Sequence, residues 1–226
     1  MVERTFRTSI VHAPEAPASL LRRFRDEIEP LLAGAEMLKD GDRCTVVRVE
    51  AEEGPFVLKR YNCKGALHTA THLVLRSRAA WCWRNARHVL EAGLATPAPL
   101  ACRERRIGPL RLESYLLMAF VAGPTLLDYV RSGEAAPAAL DRLADEFGRI
   151  WRGLGALRAR HHDMKATNFI VDAEHRLWMV DLDGMRTGLS GSLFRHARRT
   201  DRERFMRNWR DWPEVADRFR ARIDTP

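Results

Sequence analysis

Apolar positions recur along this chain with two periods, and the switch between them outlines the fold. Leu20, Leu21, Phe24, Ile28, Leu31 and Leu32 fall at helical spacing within residues 18–32, after a polar lead. Beyond an Asp40-Gly41-Asp42 turn, Thr45-Val46-Val47-Arg48-Val49 and Pro55-Phe56-Val57-Leu58-Lys59-Arg60-Tyr61 read as two strands around a Glu52-Glu53-Gly54 turn. Residues 72–92 return to the helical period, ended by Gly93 with Pro97 and Pro99 beyond as stop signals. Another strand is expected within 111–122, closed by Gly123-Pro124. Residues 124–159 are helical in pattern, a short piece to about Arg131 and a longer one from about Ala138. Phe169-Ile170-Val171 and Leu177-Trp178-Met179-Val180 then bracket a turn over 172–176, a hairpin signal. The tail, from about Arg195, reads as a basic helix carrying Trp209 and Trp212.

Strands with a helix come first and helices dominate afterwards, which predicts an α+β class. The expected arrangement is one domain of two small lobes sharing a cleft. A strand-rich N-lobe would span about 1–121 and a helical C-lobe about 122–226. With 226 residues, 46% hydrophobic and 30% charged, the chain can bury a core without disulfides or metals, and disorder is excluded. Cys44, Cys63, Cys82 and Cys102 form no CxxC pair, so free thiols in a reducing cytosol are expected. The first ten residues hold Glu3, Arg4 and Arg7 and no apolar core, which argues against a secretory signal. The longest apolar run, 115–122, falls far short of the ~20 residues a membrane span needs. A cytoplasmic protein, soluble or attached to a membrane from the cytosolic side, is expected.

Charge sharpens this picture. The formal net charge is +8, so an anionic partner fits: a nucleotide, a nucleic acid or an acidic membrane surface. Only four of the 38 basic residues are lysines, namely Lys39, Lys59, Lys64 and Lys165. Two of the four stand in motifs.

The strongest motif is His161-His162-Asp163-Met164-Lys165-Ala166-Thr167-Asn168. It fits the H-R-D-x-x-x-x-N loop of the protein-kinase fold, with His162 in place of the Arg. In such a loop an Asp orients or accepts a hydroxyl proton in line with the γ-phosphate. An Asn a few residues on turns to a Mg²⁺ ion, and a Lys between them neutralises charge on the transferring group. A plain turn with an Asx cap is the competing reading. Val180-Asp181-Leu182-Asp183-Gly184 follows the hairpin, where the kinase D-F-G element would lie, and an Asp at the end of an apolar strand calls for a cation or donors. Asp181 is the equivalent Asp, leaving Asp183 at the usual glycine position. Phe56-Val57-Leu58-Lys59 resembles the V-A-I-K strand, and alternation puts Lys59 on the same face as Val57, reaching into the cleft.

Beyond this general pattern, the chain resembles the bacterial lipopolysaccharide core kinases over roughly residues 38–215. The resemblance rests on the motifs above together with Ala92-Gly93-Leu94-Ala95-Thr96-Pro97-Ala98-Pro99-Leu100 and Ser114-Tyr115-Leu116-Leu117. It implies a two-lobed protein-kinase-like fold that uses ATP and Mg²⁺ to phosphorylate a heptose or 3-deoxy-manno-octulosonic acid (Kdo) hydroxyl of the inner core. The roles it implies are Asp163 and Lys165 as catalytic residues and Asn168 and Asp181 as metal ligands. Lys59, Gly41, Arg43, Met118 and Phe120 would bind the nucleotide. Cytoplasmic work at the inner face of the inner membrane, on a lipid-linked sugar and against an anionic surface, is implied too, with no nucleic acid.

The chain departs from the general kinase pattern in two further places. The glycine-rich loop is reduced to Gly41-Asp42-Arg43-Cys44-Thr45, and no Glu lies between Lys59 and Glu91 to pair with the lysine. A nucleotide- or ligand-binding protein without turnover, and a small-molecule phosphotransferase of the aminoglycoside-directed kind, therefore stay as alternatives. Asp181-x-Asp183 also resembles the D-x-D of glycosyltransferases, but no early βαβ unit accompanies it. Arg195, Arg198, Arg199, Arg202, Arg204, Arg207 and Arg210, interleaved with Phe205, Trp209 and Trp212, would either grip anionic phosphates or form the solvated face of a packed helix. His161 is expected to brace its loop rather than act as a base.

Overall fold

The computed structural model describes residues 1–42, 44–62, 77–107, 110–133 and 135–224. The chain divides into two compact units, Met1–Arg87 with Pro97–Phe120 and His88–Thr96 with Val121–Pro226.

The first unit is built on an antiparallel sheet of seven strands in the order β1-β2-β6-β7-β5-β4-β3. They are β1 (Val2–Arg4), β2 (Thr8–His12), β3 (Glu36–Lys39), β4 (Cys44–Ala51), β5 (Gly54–Tyr61), β6 (Pro99–Ile107) and β7 (Leu110–Ala119). One face carries two helices, α1 (Ala18–Asp26) and α2 (Ile28–Ala33), whose Leu20, Phe24, Ile28 and Leu31 pack on Val47, Val49, Leu58 and Leu117. The sequence predicts a single helix over 18–32, but the structure breaks it at Glu27. Pro30 explains the break. It has no N–H for the Asp26 carbonyl, and its ring would collide with that carbonyl in a continuous helix. The polar lead also turns out to hold β1 and β2. Leu58 and Leu117 pair on the helix-covered face, so Val57, Lys59, Leu116 and Met118 share the other. The helix α3 (Arg78–Glu91) realises the later part of the stretch expected over 72–92; residues 72–76 lie outside the described residues.

The second unit holds α4 (Leu126–Arg131), α5 (Pro137–Ala156), the hairpin β8 (Phe169–Val171) and β9 (Leu177–Met179), α6 (Gly191–Met206) and α7 (Pro213–Ile223). Leu143, Phe147, Ile150, Trp151 and Leu154 form a buried stripe along α5 at helical spacing. Phe147 sits at the centre of an aromatic cluster. The Phe205 ring of α6 stacks on it at 3.7 Å, Phe169 of β8 meets it edge-on at 5.4 Å and Phe219 of α7 at 5.6 Å. Trp209 stacks on Phe219 at 5.2 Å. The basic tail is therefore two helices rather than one, divided before Pro213, which begins α7.

Gly123 fixes where the hairpin lies. Its φ is +140°, and a Cβ there would fall 1.9 Å from the Val171 carbonyl oxygen, so the backbone passes the hairpin at a separation only glycine permits. The Val171 N–H donates to the Pro124 carbonyl in the same crossing. Among the described residues no helix is long and apolar enough to cross a membrane, and Cys44, Cys82 and Cys102 form no disulfide with one another.

Candidate active site

In the second unit the 161–168 segment lies between α5, which ends at Ala156, and β8, and is closed by a 3₁₀ turn over Ala166–Asn168. Met164, Ala166 and Phe169 are buried, which fixes the segment from beneath. Asp163 and Lys165 are turned to the half-exposed side, while Asn168 is itself buried beside them.

Asp163 is the hub of that side. Its Oδ2 accepts the Lys165 ammonium at 2.7 Å and the Asn168 Nδ2 at 3.2 Å. Its Oδ1 accepts Nη1 of Arg204, from α6, at 2.6 Å. Asn168 Nδ2 also donates to the Asp163 carbonyl at 2.8 Å. Partial burial pushes the Asp163 carboxyl upward, but hydrogen bonds from Lys165 and Arg204, the Lys165 charge and Asn168 outweigh it and hold the pKa at about 2. The group is therefore ionised throughout the neutral range.

The backbone brings Asp181 alongside the 161–168 segment. The Val180 N–H donates to the Asn168 carbonyl at 2.9 Å, which sets Asp181 one residue from that contact. Asp181 itself adopts the left-handed conformation, φ 63° and ψ 52°, before a 3₁₀ turn over Leu182–Gly184. A Cβ on Gly184 would lie 3.3 Å from His162 Cδ2, so this turn packs directly against the 161–168 segment. Reciprocal hydrogen bonds between Arg160 and Arg186, at 2.8 and 3.0 Å, tie the two segments once more.

Two side chains that the motifs do not single out hold this geometry. The buried Asp201 carboxylate of α6 accepts the backbone N–H groups of His161 at 2.7 Å and His162 at 3.2 Å. His162 has φ +76°, a strained value for a residue with a side chain, and the Asp201 bond secures it. Arg204 is the other. Asp201 carries a faint sequence signal, standing on the four-residue stripe of Ala197, Phe205 and Trp209, where an acidic side chain on a buried line needs donors; Arg204 carries none. His161 is fully buried, and no ring nitrogen of it finds a hydrogen-bond partner among the described residues. Burial drives its pKa below the ordinary 6.5 against the pull of Asp201, Asp181, Asp163 and Asp183, so the ring is neutral.

The remaining site residues named from the sequence belong to the first unit. Lys59 is buried on β5, paired across the sheet with Val46 and Leu116, and its ammonium lies 5.3 Å from the Tyr61 ring centroid. Arg78, at the start of α3, covers the same ring at 4.9 Å. Met118 pairs with Val57 and so shares the Lys59 face, and Phe120 lies under the Arg48 guanidinium at 4.9 Å. The Gly41 carbonyl accepts the Cys44 N–H at 3.0 Å in the turn that opens β4; Arg43 lies outside the described residues.

The α6 arginines are less free than a solvated face would make them. Arg198 lies 3.1 Å from the Trp151 ring centroid and donates to the Trp151 carbonyl, and burial lowers its pKa to about 10. Arg202 forms a two-point pair with Asp224.

With this geometry in place, residues 40–216 match the model of the Lipopolysaccharide kinase (Kdo/WaaP) family. The chain belongs to that family. Among curated proteins it is similar to the 3-deoxy-D-manno-octulosonic acid kinase of Vibrio cholerae serotype O1, 29% identical over 96 residues. That alignment covers 42% of this chain and 39% of the Vibrio protein, so the chain spans about two fifths of the length of this relative. The matched region of the family contains the sheet strands β4 to β7, the Asp163 hub and both α6 residues that brace it.

Proposed function

We propose that this member of the lipopolysaccharide kinase family transfers the γ-phosphoryl group of ATP to a sugar hydroxyl of the lipopolysaccharide inner core. Kdo is the acceptor we favour over heptose, on the strength of the Vibrio relative's name. The observation that carries the reading is the Asp163–Lys165–Asn168 cluster with Asp181 adjoining it, in a chain of this family.

Each group has a task in this reading. Asp163 accepts the acceptor hydroxyl's hydrogen bond and aims its oxygen at the phosphorus. Lys165, 2.7 Å from that carboxylate, neutralises charge on the group in transit. Lys59 anchors the α/β-phosphates, while Gly41, Arg43, Met118 and Phe120 line the nucleotide. Both hydrogen bonds of Asn168 Nδ2 run to Asp163, so the amide oxygen is the atom left for a hard cation. One amide oxygen and the Asp181 carboxylate suit Mg²⁺, which is commonly held by one or two side chains plus substrate phosphates rather than by a protein cage. The ion would neutralise charge on the β- and γ-phosphates.

The test is ADP release from purified protein with ATP, Mg²⁺ and a Kdo-bearing lipid A acceptor, beside mass spectrometry of the core from cells with and without the protein. One added phosphate on Kdo supports the reading. A phosphate on heptose would move the acceptor, and neither a phosphate nor ADP release would favour a binding protein without turnover.

A further inference from the structure

The Asp163 carboxylate is held from two sides, and the second hold comes from 41 residues further along the chain. Lys165 and Asn168 belong to its own loop and both take Oδ2. Among the described residues only Arg204 takes Oδ1, at 2.6 Å. Contacts on one oxygen leave a carboxylate free to turn about its Cβ–Cγ bond, whereas cations on both oxygens set its plane.

Arg204 is in turn placed by its neighbours on α6. Asp201, one turn earlier, is buried and bonded to the His161 and His162 backbone, so α6 cannot slide along the loop. Phe205 is locked into the aromatic cluster against Phe147. Asn208 donates to the carbonyls of Arg204 and Phe205 and closes the helix end.

Stability does not account for the arrangement. The pair is about a third exposed on both sides, where ion pairs contribute little. The Arg204 Nε is buried with no hydrogen-bond partner among the described residues, which works against folding. We propose that Arg204 is a positioning residue for phosphotransfer, fixing the plane of the Asp163 carboxylate so that a free lone pair meets the acceptor hydroxyl. This rests on the proposed role of Asp163.

The test uses full-length protein with ATP, Mg²⁺ and the Kdo-bearing lipid A acceptor. Arg204→Ala is expected to lower kcat at least thirtyfold, because a misaimed nucleophile loses rate steeply. The KM for ATP should stay within twofold and the unfolding midpoint near that of the parent protein. Arg204→Lys should recover part of the loss, and added methylguanidine should restore part of the Arg204→Ala rate, which a structural role would not produce. Should Arg204→Ala not fold, Arg204→Met, which keeps an apolar stem and no donor, decides: a kcat within threefold of that of the parent overturns the inference. An Arg204→Ala kcat within threefold of the parent, alongside an inert Asp163→Ala, overturns the inference and leaves the function standing. Full activity in both variants, or an inert parent protein, removes the role of Asp163 and the inference with it.

Discussion

Replacing Asp201 by alanine gives the sharpest measure of what holds the loop. Its carboxylate is 2% exposed and accepts two backbone N–H groups, at 2.7 and 3.2 Å. Hydrogen bonds to a charged group contribute about 1.5–3 kcal/mol each, with the longer bond at the low end. Removing the carboxylate also returns part of what its burial costs, so the net loss is about 2–4 kcal/mol. In a protein of this size each kcal/mol moves the unfolding midpoint by about 2–4 °C, so Asp201→Ala should lower it by about 5–15 °C. Asp201→Asn keeps one acceptor oxygen but sets an amide N–H against an N–H donor, and about half the loss should remain. Activity should fall further than stability does. His162, at φ +76°, loses the bond that secures it, and Asp163 is the next residue. Tryptophan fluorescence during heating suits the measurement, because Trp151 and Trp209 lie buried in the same unit. A midpoint for Asp201→Ala within 2 °C of the parent protein would show that the two hydrogen bonds do not carry the loop.

Asp163→Ala should lower kcat by about a thousandfold or more with ATP affinity nearly unchanged, read by ADP release and by calorimetric titration of nucleotide. Gly123→Ala puts a methyl group 1.9 Å from the Val171 oxygen at φ +140°, and chemical denaturation should show a loss of about 2–5 kcal/mol. Stability should also fall with acid in two windows. The His161 pKa is lowered by burial, so the unfolded chain binds that proton first; the contribution is complete above 6.5 and declines as pH drops below it. Asp163, held at about 2, contributes above about 4 and loses this between 4 and 2, worth about 1 kcal/mol or less at its partial exposure. Urea unfolding at pH 7.5 and 5.5 tests the first window, and His161→Gln should flatten it.

The grouping of Asp163, Lys165 and Asn168 was more legible than the scaffold that holds them. The eight-residue spacing from His161 to Asn168 forces Asp163, Lys165 and Asn168 into one turn, because Met164, Ala166 and Phe169 are apolar and must point the other way. The α5 stripe and the β8–β9 hairpin are likewise local patterns. What stayed hidden depends on partners far away. β1 and β2 are short and polar, and only pairing of β2 with β6 makes them strands. In β6, Arg103, Arg105 and Arg106 mask an alternation whose inward members are Cys102 and Glu104. The break between α1 and α2 was legible in Pro30. The parts played by Asp201 and Arg204 were not, since both concern a loop some 40 residues earlier that a basic helix gives no hint of touching.

The same contacts bear on how Asp163 would work. A general base is most effective with a pKa near the working pH, where it is both unprotonated and able to hold a proton. A carboxylate at about 2 is ionised but barely basic, and the cations on its two oxygens are what make it so. Proton abstraction before the chemical step is thus a poor use of this group, whereas a fixed, fully charged acceptor aimed at a hydroxyl suits it well. Such a group aligns the nucleophile and takes its proton late, when the departing hydroxyl proton has become acidic through bonding to phosphorus. Positioning would then supply most of the rate, and the residues that hold the carboxylate's plane would carry a share of it.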